Sequence, residues 1–299
     1  LYHLSASAHI RGRGTDPLSR YTSLDGQLSL DSLEYGKLHI SGIELNTSLQ
    51  KGEAIATLNG ATPLFKINTY LKALLDKKEI SAELHMGLEQ MDLYGLGVSP
   101  KPLKTDLTLN MSGASDLKER HEVEAQISNL LLSTPDSSYK TKDLRLKALA
   151  YPDTTYAYLE SGDMLLNVSA RENYNDISRK ATEFLNALNE QVKRKHIDQD
   201  SLKQLLPMLR LKIISGGDNP IINYLTSSGY HLRNMFFDLE SDPNIGLNGG
   251  GHIYSLNTGG ILIDTIQTQI YQDSTGVKLN SRIKNGPKNK QIVFEALLN

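Results

Sequence analysis

The fold is decided by a short alternating stretch, residues 80–88, which reads ISAELHMGL. Its apolar residues, from Ile80 to Leu88, occupy every second position. Successive side chains of a strand point to opposite faces, so this stretch predicts a strand with one apolar face and one polar face. The same alternation recurs at Leu24–Leu30, Leu38–Leu49, Leu103–Met111, Val123–Leu131, Asp143–Ala150, Asp163–Ala170, Leu209–Ile214, Phe236–Leu239, Gly251–Leu256, Ile261–Tyr271 and Val277–Ile283.

Turn-forming residues separate these runs. Gly, Asn and Asp accept the positive φ of short hairpin loops, and Pro presets the first position of a turn. Strands spaced by roughly 10–12 residues predict an antiparallel meander. Open sheets rarely exceed about ten strands without curling or splitting, and an apolar face has to be covered. A closed barrel, a sandwich and a curled sheet that holds something else therefore all remain possible at this point.

One segment follows the helical period instead. Between Asn175 and Lys195 the apolar residues form a single stripe with a repeat of 3.6 residues. Asp176 is the predicted N-cap of this helix. A second, shorter helix is predicted over Asp198–Leu206, with Asp198 or Asp200 as its N-cap, and Pro207 ends it.

Composition excludes several classes of protein. The 299 residues carry 32 Lys and Arg against 34 Asp and Glu, a net charge of −2 that argues against a nucleic-acid-binding protein. The absence of Cys excludes thiol catalysis and thiolate zinc sites. No apolar run is long enough to span a bilayer. The chain begins at Leu1 inside a predicted strand, so we expect a fragment of a longer protein, with any targeting segment outside it.

The sequence offers few groups for chemistry. The eight His residues show no metal-ligand spacing, and the carboxylates Asp163, Asp238 and Asp264 are scattered along the chain. The glycine-rich segments 215–218 and 248–251 are predicted to be turns or bulges beside strands, because neither has the strand-to-helix context or the Lys-Ser/Thr of a phosphate loop. We therefore predict no catalytic residue, no metal site and no cofactor.

The choice of apolar residues is unusual for a strand-rich chain. There are 48 Leu but only 21 Ile and 6 Val, although strand propensity favours β-branched residues. Rows of Leu on a concave sheet would suit lipid chains, and Leu packed in an ordinary core would explain the same composition.

Several short motifs in the C-terminal two thirds of the chain occur together: Ser161–Met164, Leu206–Leu211, Gly217–Ile221, Pro243–Leu247, Leu262–Ile266, Tyr271–Asp273 and Lys284–Pro287. In combination they resemble the conserved domain of the TamB family, the translocation and assembly module proteins of Gram-negative bacteria, in its Bacteroidetes form. Residues 1–150 match as a generic β repeat, including Asp92–Gly97.

The resemblance implies a fold and a function. The fold is mainly β: a long antiparallel meander curled into an open trough or half-barrel, with one embedded helical segment near 175–206. The organisation is a single elongated domain over 1–299, with a β-repeat part (1–170), the helical segment (171–207) and a C-terminal β part (208–299). The implied function is that of a non-enzymatic, AsmA-like periplasmic protein for lipid transport or outer-membrane biogenesis. Such a protein is anchored in the inner membrane outside this fragment.

The implied partners are phospholipid acyl chains and an outer-membrane barrel protein of the BamA class, with no nucleic acid. A continuous apolar stripe is sufficient for contact with acyl chains, at about 0.8 kcal/mol per buried methylene. The candidate groove residues are Ile80, Leu84, Met86, Leu88, Leu107, Leu109, Met111, Val277, Leu279 and Ile283. Two rival hypotheses remain: a scaffolding β domain whose core is filled by its own residues, and a carbohydrate-active enzyme on a β-sandwich.

Overall fold

Strands make up most of the chain. The computed structural model describes residues 2–36, 38–227, 229–273, 276–289 and 293–298. About 60% of the residues lie in strands, and neighbouring strands are antiparallel. The predicted class, a mainly β and open antiparallel meander with an embedded helical segment, is confirmed.

The elements follow one another in the order β1 (Tyr2–Arg13), β2 (Ser23–Tyr35), β3 (Leu38–Ile40), β4 (Ile43–Gln50), β5 (Glu53–Ala61), β6 (Lys66–Leu75), β7 (Ile80–Asp92), β8 (Lys104–Ser115), β9 (His121–Ser133), β10 (Ser138–Lys140), β11 (Leu144–Tyr151), β12 (Thr154–Ser161), β13 (Met164–Ala170), α1 (Tyr174–Lys193), α2 (Gln199–Gln204), β14 (Leu209–Ser215), α3 (Pro220–Ser227), β15 (Tyr230–His231), β16 (Asn234–Asp242), β17 (Gly246–Thr258), β18 (Leu262–Asp273), β19 (Gly276–Lys284) and β20 (Val293–Leu298).

Residue contacts group the chain into two compact units, Leu1–Arg145 and Leu146–Asn299, called unit 1 and unit 2 below. The single elongated domain over 1–299 stays a prediction. In unit 1 the long strands pair in chain order, β1 with β2, β2 with β4, and onward to β9. In unit 2 the order is β12, β13, β14, β16, β17, β18, β19 and β20.

Each unit has an open edge. Among the described residues, β1 pairs with β2 alone and β20 pairs with β19 alone. Three register shifts occur in unit 1: between Ser5 and Ala6, after Leu88, and between Asp106 and Thr108. Gln90 and Asn129 have positive φ at the second and third of these, which lets the strands bend without losing the alternation of their faces.

The helical segment contains the two predicted helices, as α1 and α2. Of the two candidate caps of α2, Asp198 is the cap and Asp200 lies in the first turn. The predicted N-cap of α1, Asp176, is wrong: Asn173 is the cap, and its side chain accepts a hydrogen bond from the Asp176 N–H at 2.8 Å. Asp176 instead lies in the first turn, where a negative charge favours the helix dipole.

The two glycine-rich segments have different outcomes. Gly249–Gly251 lie inside β17, in unbroken register, rather than in the predicted turn or bulge, and neighbouring strands approach them too closely for a side chain. A Cβ on Gly251 would lie 2.2 Å from the Phe236 carbonyl oxygen. Residues 216–219 form the predicted loop beside a strand, β14, but they do have a strand-to-helix context, since they lead into α3, a helix that the sequence did not predict.

The packed core is small. The buried apolar side chains among the described residues are Leu49, Leu88, Met164, Ala170, Leu202, Leu206 and Ile222. Four of them lie in the strands β4, β7 and β13, and the other three belong to α2, α3 and the turn after α2. The apolar faces of the sheets are mostly half-buried or exposed.

Candidate functional site

Strand register in unit 1 aligns the apolar phases of eight strands into one face. The most complete row crosses the sheet at Met86 and consists of Ala8, Leu28, Leu45, Leu58, Thr69, Met86, Leu109 and Ile127. Paired residues of neighbouring antiparallel strands point to the same face, with their Cβ atoms about 5 Å apart. The row is therefore a nearly continuous apolar stripe across the unit.

Parallel rows widen this stripe on both sides. One row contains Ile10, Gly26, Thr47, Ala56, Leu71, Leu84, Met111 and Ala125, and another contains Ala6, Leu30, Ile43, Gly60, Ile67, Leu88 and Leu107. A fourth contains Gly12, Leu24, Leu49, Ala54, Ala73, Ala82, Gly113 and Val123. We call these four rows together the apolar face of unit 1.

The structure brings six of the predicted groove residues together on this face. Leu84 pairs with Met111, Met86 pairs with Leu109, and Leu88 pairs with Leu107. Ile80 has the same phase at the start of β7, where it pairs with Leu75 and Ser115.

The opposite face of unit 1 is polar. The row between Leu84 and Met86 contains His9, Gln27, Asn46, Thr57, Tyr70, His85, Asn110 and Gln126. The His85 Nδ1 lies 2.8 Å from the Asn110 side-chain oxygen, and the His85 ring stacks on Tyr70 with centroids 6.4 Å apart. Solvent is thus the natural environment of this face.

Much of the apolar face remains accessible. Leu28 is 41% exposed, Met111 38% and Ile10 69%. Of the apolar-face residues, only Leu49 and Leu88 are buried. In unit 1 the elements with extensive mutual contacts are neighbouring strands, so no second layer of described residues in this unit covers the face.

The other three candidates share one phase of β19 in unit 2. Leu279 pairs with Ile270, and Ile283 pairs with Ile266. We call the face with these residues the apolar face of unit 2 and the opposite face, which carries Gln267, Gln269 and Asn280, its polar face. Val277 lies at the start of β19, where its N–H donates to the Gln199 side chain of α2. Helix α2 therefore contacts the first residues of β19 at Val277.

Sequence reasoning missed the residues that β5 and β6 contribute to the apolar face of unit 1. Leu58 pairs with Leu45 on one side and Thr69 on the other. Leu71 likewise lies between Ala56 and Leu84. Their alternation was available in the sequence, but Ile55 and Tyr70 on the opposite phase obscure it.

The motifs of the C-terminal two thirds meet in pairs. Asp163 accepts hydrogen bonds from the Asp218 N–H and the Asn219 side-chain amide, both at 2.9 Å. Asn219 is fully buried, and its side-chain oxygen accepts from the Ile222 N–H at the start of α3. Gly216 leaves the space that this contact needs, because a Cβ there would lie 2.1 Å from the Asp163 carboxylate.

Two further motif pairs are joined in the same manner. Asp264 accepts from the Gly286 N–H and the Asn289 amide, and its own N–H donates to Asn285 at 2.8 Å. Gln272 accepts from the Leu247 N–H at 3.2 Å. These polar groups tie loops and strand ends together.

The three scattered carboxylates have separate partners. Asp163 and Asp264 belong to the hydrogen-bond networks just described. Asp238 accepts two hydrogen bonds from the Arg210 guanidinium, at 2.8 and 2.7 Å. These hydrogen bonds hold the pKa of Asp238 below its ordinary value. Each carboxylate thus lies in a different network, an arrangement unlike the converging pair of a glycosidase.

Within the described residues, no cluster of three or more His, Asp or Glu side chains is arranged to hold a metal ion, and none of the helices is both long and apolar enough to cross a membrane. No protein-family model, curated protein or solved structure matches this chain.

Proposed function

We propose that this protein is a non-enzymatic cell-envelope protein of the TamB type that binds phospholipid acyl chains on the apolar face of its open sheet. The observation that carries the proposal is the accessible apolar face of unit 1, four rows wide and continuous over eight strands. The motif resemblance supports the same function.

Acyl chains fit this face better than a folded partner's polar surface does. The face offers flexible Leu and Met side chains and small Ala and Gly gaps, whereas Thr47 and Thr69 are the polar members of its rows. Contact with hydrocarbon needs no hydrogen-bonding group and contributes about 0.8 kcal/mol per buried methylene. Several methylenes per chain would therefore give useful affinity.

The cellular setting is part of the proposal. We place the protein in the periplasm, anchored in the inner membrane by a segment outside this chain, with an outer-membrane barrel of the BamA class as partner. Its role is to support phospholipid movement or outer-membrane protein assembly between the two membranes. The resemblance of the paired motifs supports this setting.

Native mass spectrometry of protein purified from a bacterial host, combined with lipid extraction, tests the proposal. We expect co-purified phospholipid on the unaltered protein and its loss in the double variant Leu84→Asp/Met86→Asp. The matched control is His85→Asp/Gly87→Asp, which places the same charges one residue further along β7 on the polar face. A Cβ on Gly87 would meet no atom within 4 Å, so the control should fold and keep its lipid.

A single substitution at an exposed position provides a second test in case the double variant does not fold. Met111→Asp changes a side chain that is already 38% exposed, so we expect a folded protein with reduced lipid binding. Unaltered protein that carries no lipid and takes none from vesicles of phosphatidylethanolamine and phosphatidylglycerol would refute the proposal. The scaffolding hypothesis would then be preferred.

A further inference from the structure

The polar face of unit 2 contains a cleft of about 770 Å³. Its floor is the glycine run Gly249–Gly251 of β17, and its walls come from β16, β18 and β19. Gly250 lies on the polar face, where it pairs with Asp238 on one side and Gln269 on the other. The missing side chain at this position leaves the depression at the centre of the sheet.

Aromatic rings concentrate on this polar face. Of the six Phe and Tyr residues in β12–β14 and β16–β19, strand register places five here and only Phe237 on the apolar face: Tyr156, Tyr158, Phe236, Tyr254 and Tyr271. Aromatic side chains usually pack on the apolar side of a sheet, because burial stabilises them. Arg233 lies over the Tyr254 ring and Lys278 over the Tyr271 ring, each 5.7 Å from the ring centroid, so a ligand would contact the ring surface that these cations leave uncovered.

The rings form two walls beside the glycine floor. Phe236 stacks on His252 with centroids 5.6 Å apart, and His252 lies 4.5 Å from the Tyr254 ring. Tyr271, which is 40% exposed, stands on the other side of Gly250. The cleft is therefore bounded on both sides by planar groups.

Between these walls lie planar amides. Gln267 pairs with His252, and Gln269 pairs with both Gly250 and Asn280. The side chains of Gln267, Gln269 and Asn280 are exposed and have no hydrogen-bond partner among the described residues. Each amide offers both donors and an acceptor at one place, which suits a ligand rich in hydroxyl groups.

The charges of the cleft are mixed. Asp238 is paired with Arg210, and Arg282 lies next to Gln267 in the cross-strand row. A polyphosphate ligand would require a basic excess, and an apolar ligand would require fewer polar groups. A sugar ring fits both the polar side chains and the aromatic rings of the cleft. Its hydroxyls form hydrogen bonds with amides and charged groups, and its weakly positive C–H groups pack on the negative faces of aromatic rings.

We propose that this cleft, floored by Gly249–Gly251 and lined by Phe236, His252, Gln269 and Asn280, binds a short saccharide chain. The site lies on the polar face of unit 2 and is independent of the apolar face of unit 1. The ligand lies across β16–β19 between the Phe236–His252 pair and Tyr271.

Saturation-transfer NMR on the whole chain, with chitohexaose and cellohexaose as probes, tests this site. We expect saturable binding of at least one saccharide, weakened about tenfold or more by His252→Ala and by Gln269→Ala. The matched controls are His85→Ala and Gln126→Ala, a stacked His and an amide on the polar face of unit 1, which should leave binding unchanged. Thermal melts confirm that each variant folds.

Three results would overturn the proposal: no binding of either saccharide at millimolar concentration, equal loss in the control variants, or tighter binding of an oligouridylate than of the sugars. The Leu84→Asp/Met86→Asp variant separates this site from the proposed lipid function. We expect it to lose phospholipid and to keep saccharide binding.

Discussion

At the scale of single residues, Thr69 is one of two polar residues on the apolar face of unit 1, and unlike Thr47 its hydroxyl has no hydrogen-bond partner among the described residues. It lies between Leu58 and Met86 in the central row, and its hydroxyl oxygen is buried without a hydrogen-bond partner. An unsatisfied buried polar group costs about 1–3 kcal/mol. The residue therefore weakens unit 1 at the place where the face is otherwise continuous.

We expect Thr69→Val to stabilise the protein by about 1 kcal/mol, because Val has a similar shape and strand propensity without the hydroxyl. The measurement is the midpoint of urea unfolding. Thr57→Val is the control, since Thr57 lies on the polar face opposite Tyr70 and should change the midpoint little. A destabilised Thr69→Val protein would mean that the hydroxyl has a partner, such as an ordered water.

At the scale of elements, the stability of α1 depends on its N-terminal cap. The Asn173 side chain accepts from the Asp176 N–H and also donates to the Asp176 carboxylate at 2.6 Å. No residue of α1 is buried, and Leu185 and Val192 are more than half exposed. With so little packing, local interactions carry a large share of the stability of this helix.

Asn173→Ala should therefore destabilise α1 by about 1 kcal/mol and speed amide hydrogen exchange in its first turn roughly fivefold. Asn173→Ser, which can accept the same hydrogen bond, should restore protection. Asn189→Ala, an exposed change inside the helix, should not increase exchange. Unchanged exchange in Asn173→Ala would show that tertiary contacts, rather than the cap, hold the start of α1.

The sequence predicts elements well where their period is long and undisturbed. The apolar stripe from Ile177 to Val192 predicted α1 correctly, but the choice of Asp176 as its cap was wrong. Both Asn173 and Asp176 are residues that commonly cap helices, and Asn173 is the cap, with Asp176 hydrogen-bonded to it. Helix α3 was missed because it has eight residues. Its cap, Asn219, is fixed by Asp163, which lies 56 positions away.

The sequence predicts which residues of the candidate site lie on the apolar face, but not which of them pair across neighbouring strands. Alternation alone assigns Leu84 and Met111 to apolar phases, and the hairpin geometry between β7 and β8 decides that they meet. The bulge after Leu88 shifts this pairing and leaves no clear mark in the sequence. The aromatic polar face of unit 2 likewise depends on pairing across strands that are far apart in the chain.

At the scale of the whole molecule, the accessible surface is large for the mass. It measures 18888 Å², whereas a compact monomer of 33.1 kDa exposes about 12,500 Å² and two compact bodies of half the mass expose about 15,000 Å² together. The uncovered sheet faces account for this difference, because a second layer would bury them.

Unfolding should therefore expose less new surface than the chain length suggests. With about 48,000 Å² for the unfolded chain, the area exposed on unfolding is about one fifth below that of a compact protein of equal mass. Both the heat-capacity change and the denaturant m-value scale with this area. We expect each, summed over all transitions, to fall about one fifth below the usual value for 299 residues.

Calorimetry and urea unfolding of lipid-free protein over a range of concentrations check this expectation and separate its causes. A low heat-capacity change at every concentration means that the apolar face stands open in the monomer, ready for acyl chains. A change that rises to the usual value with concentration means that a second copy covers the face. The usual value at high dilution would contradict the open sheet itself, because the only remaining cover would come from the chain's own residues.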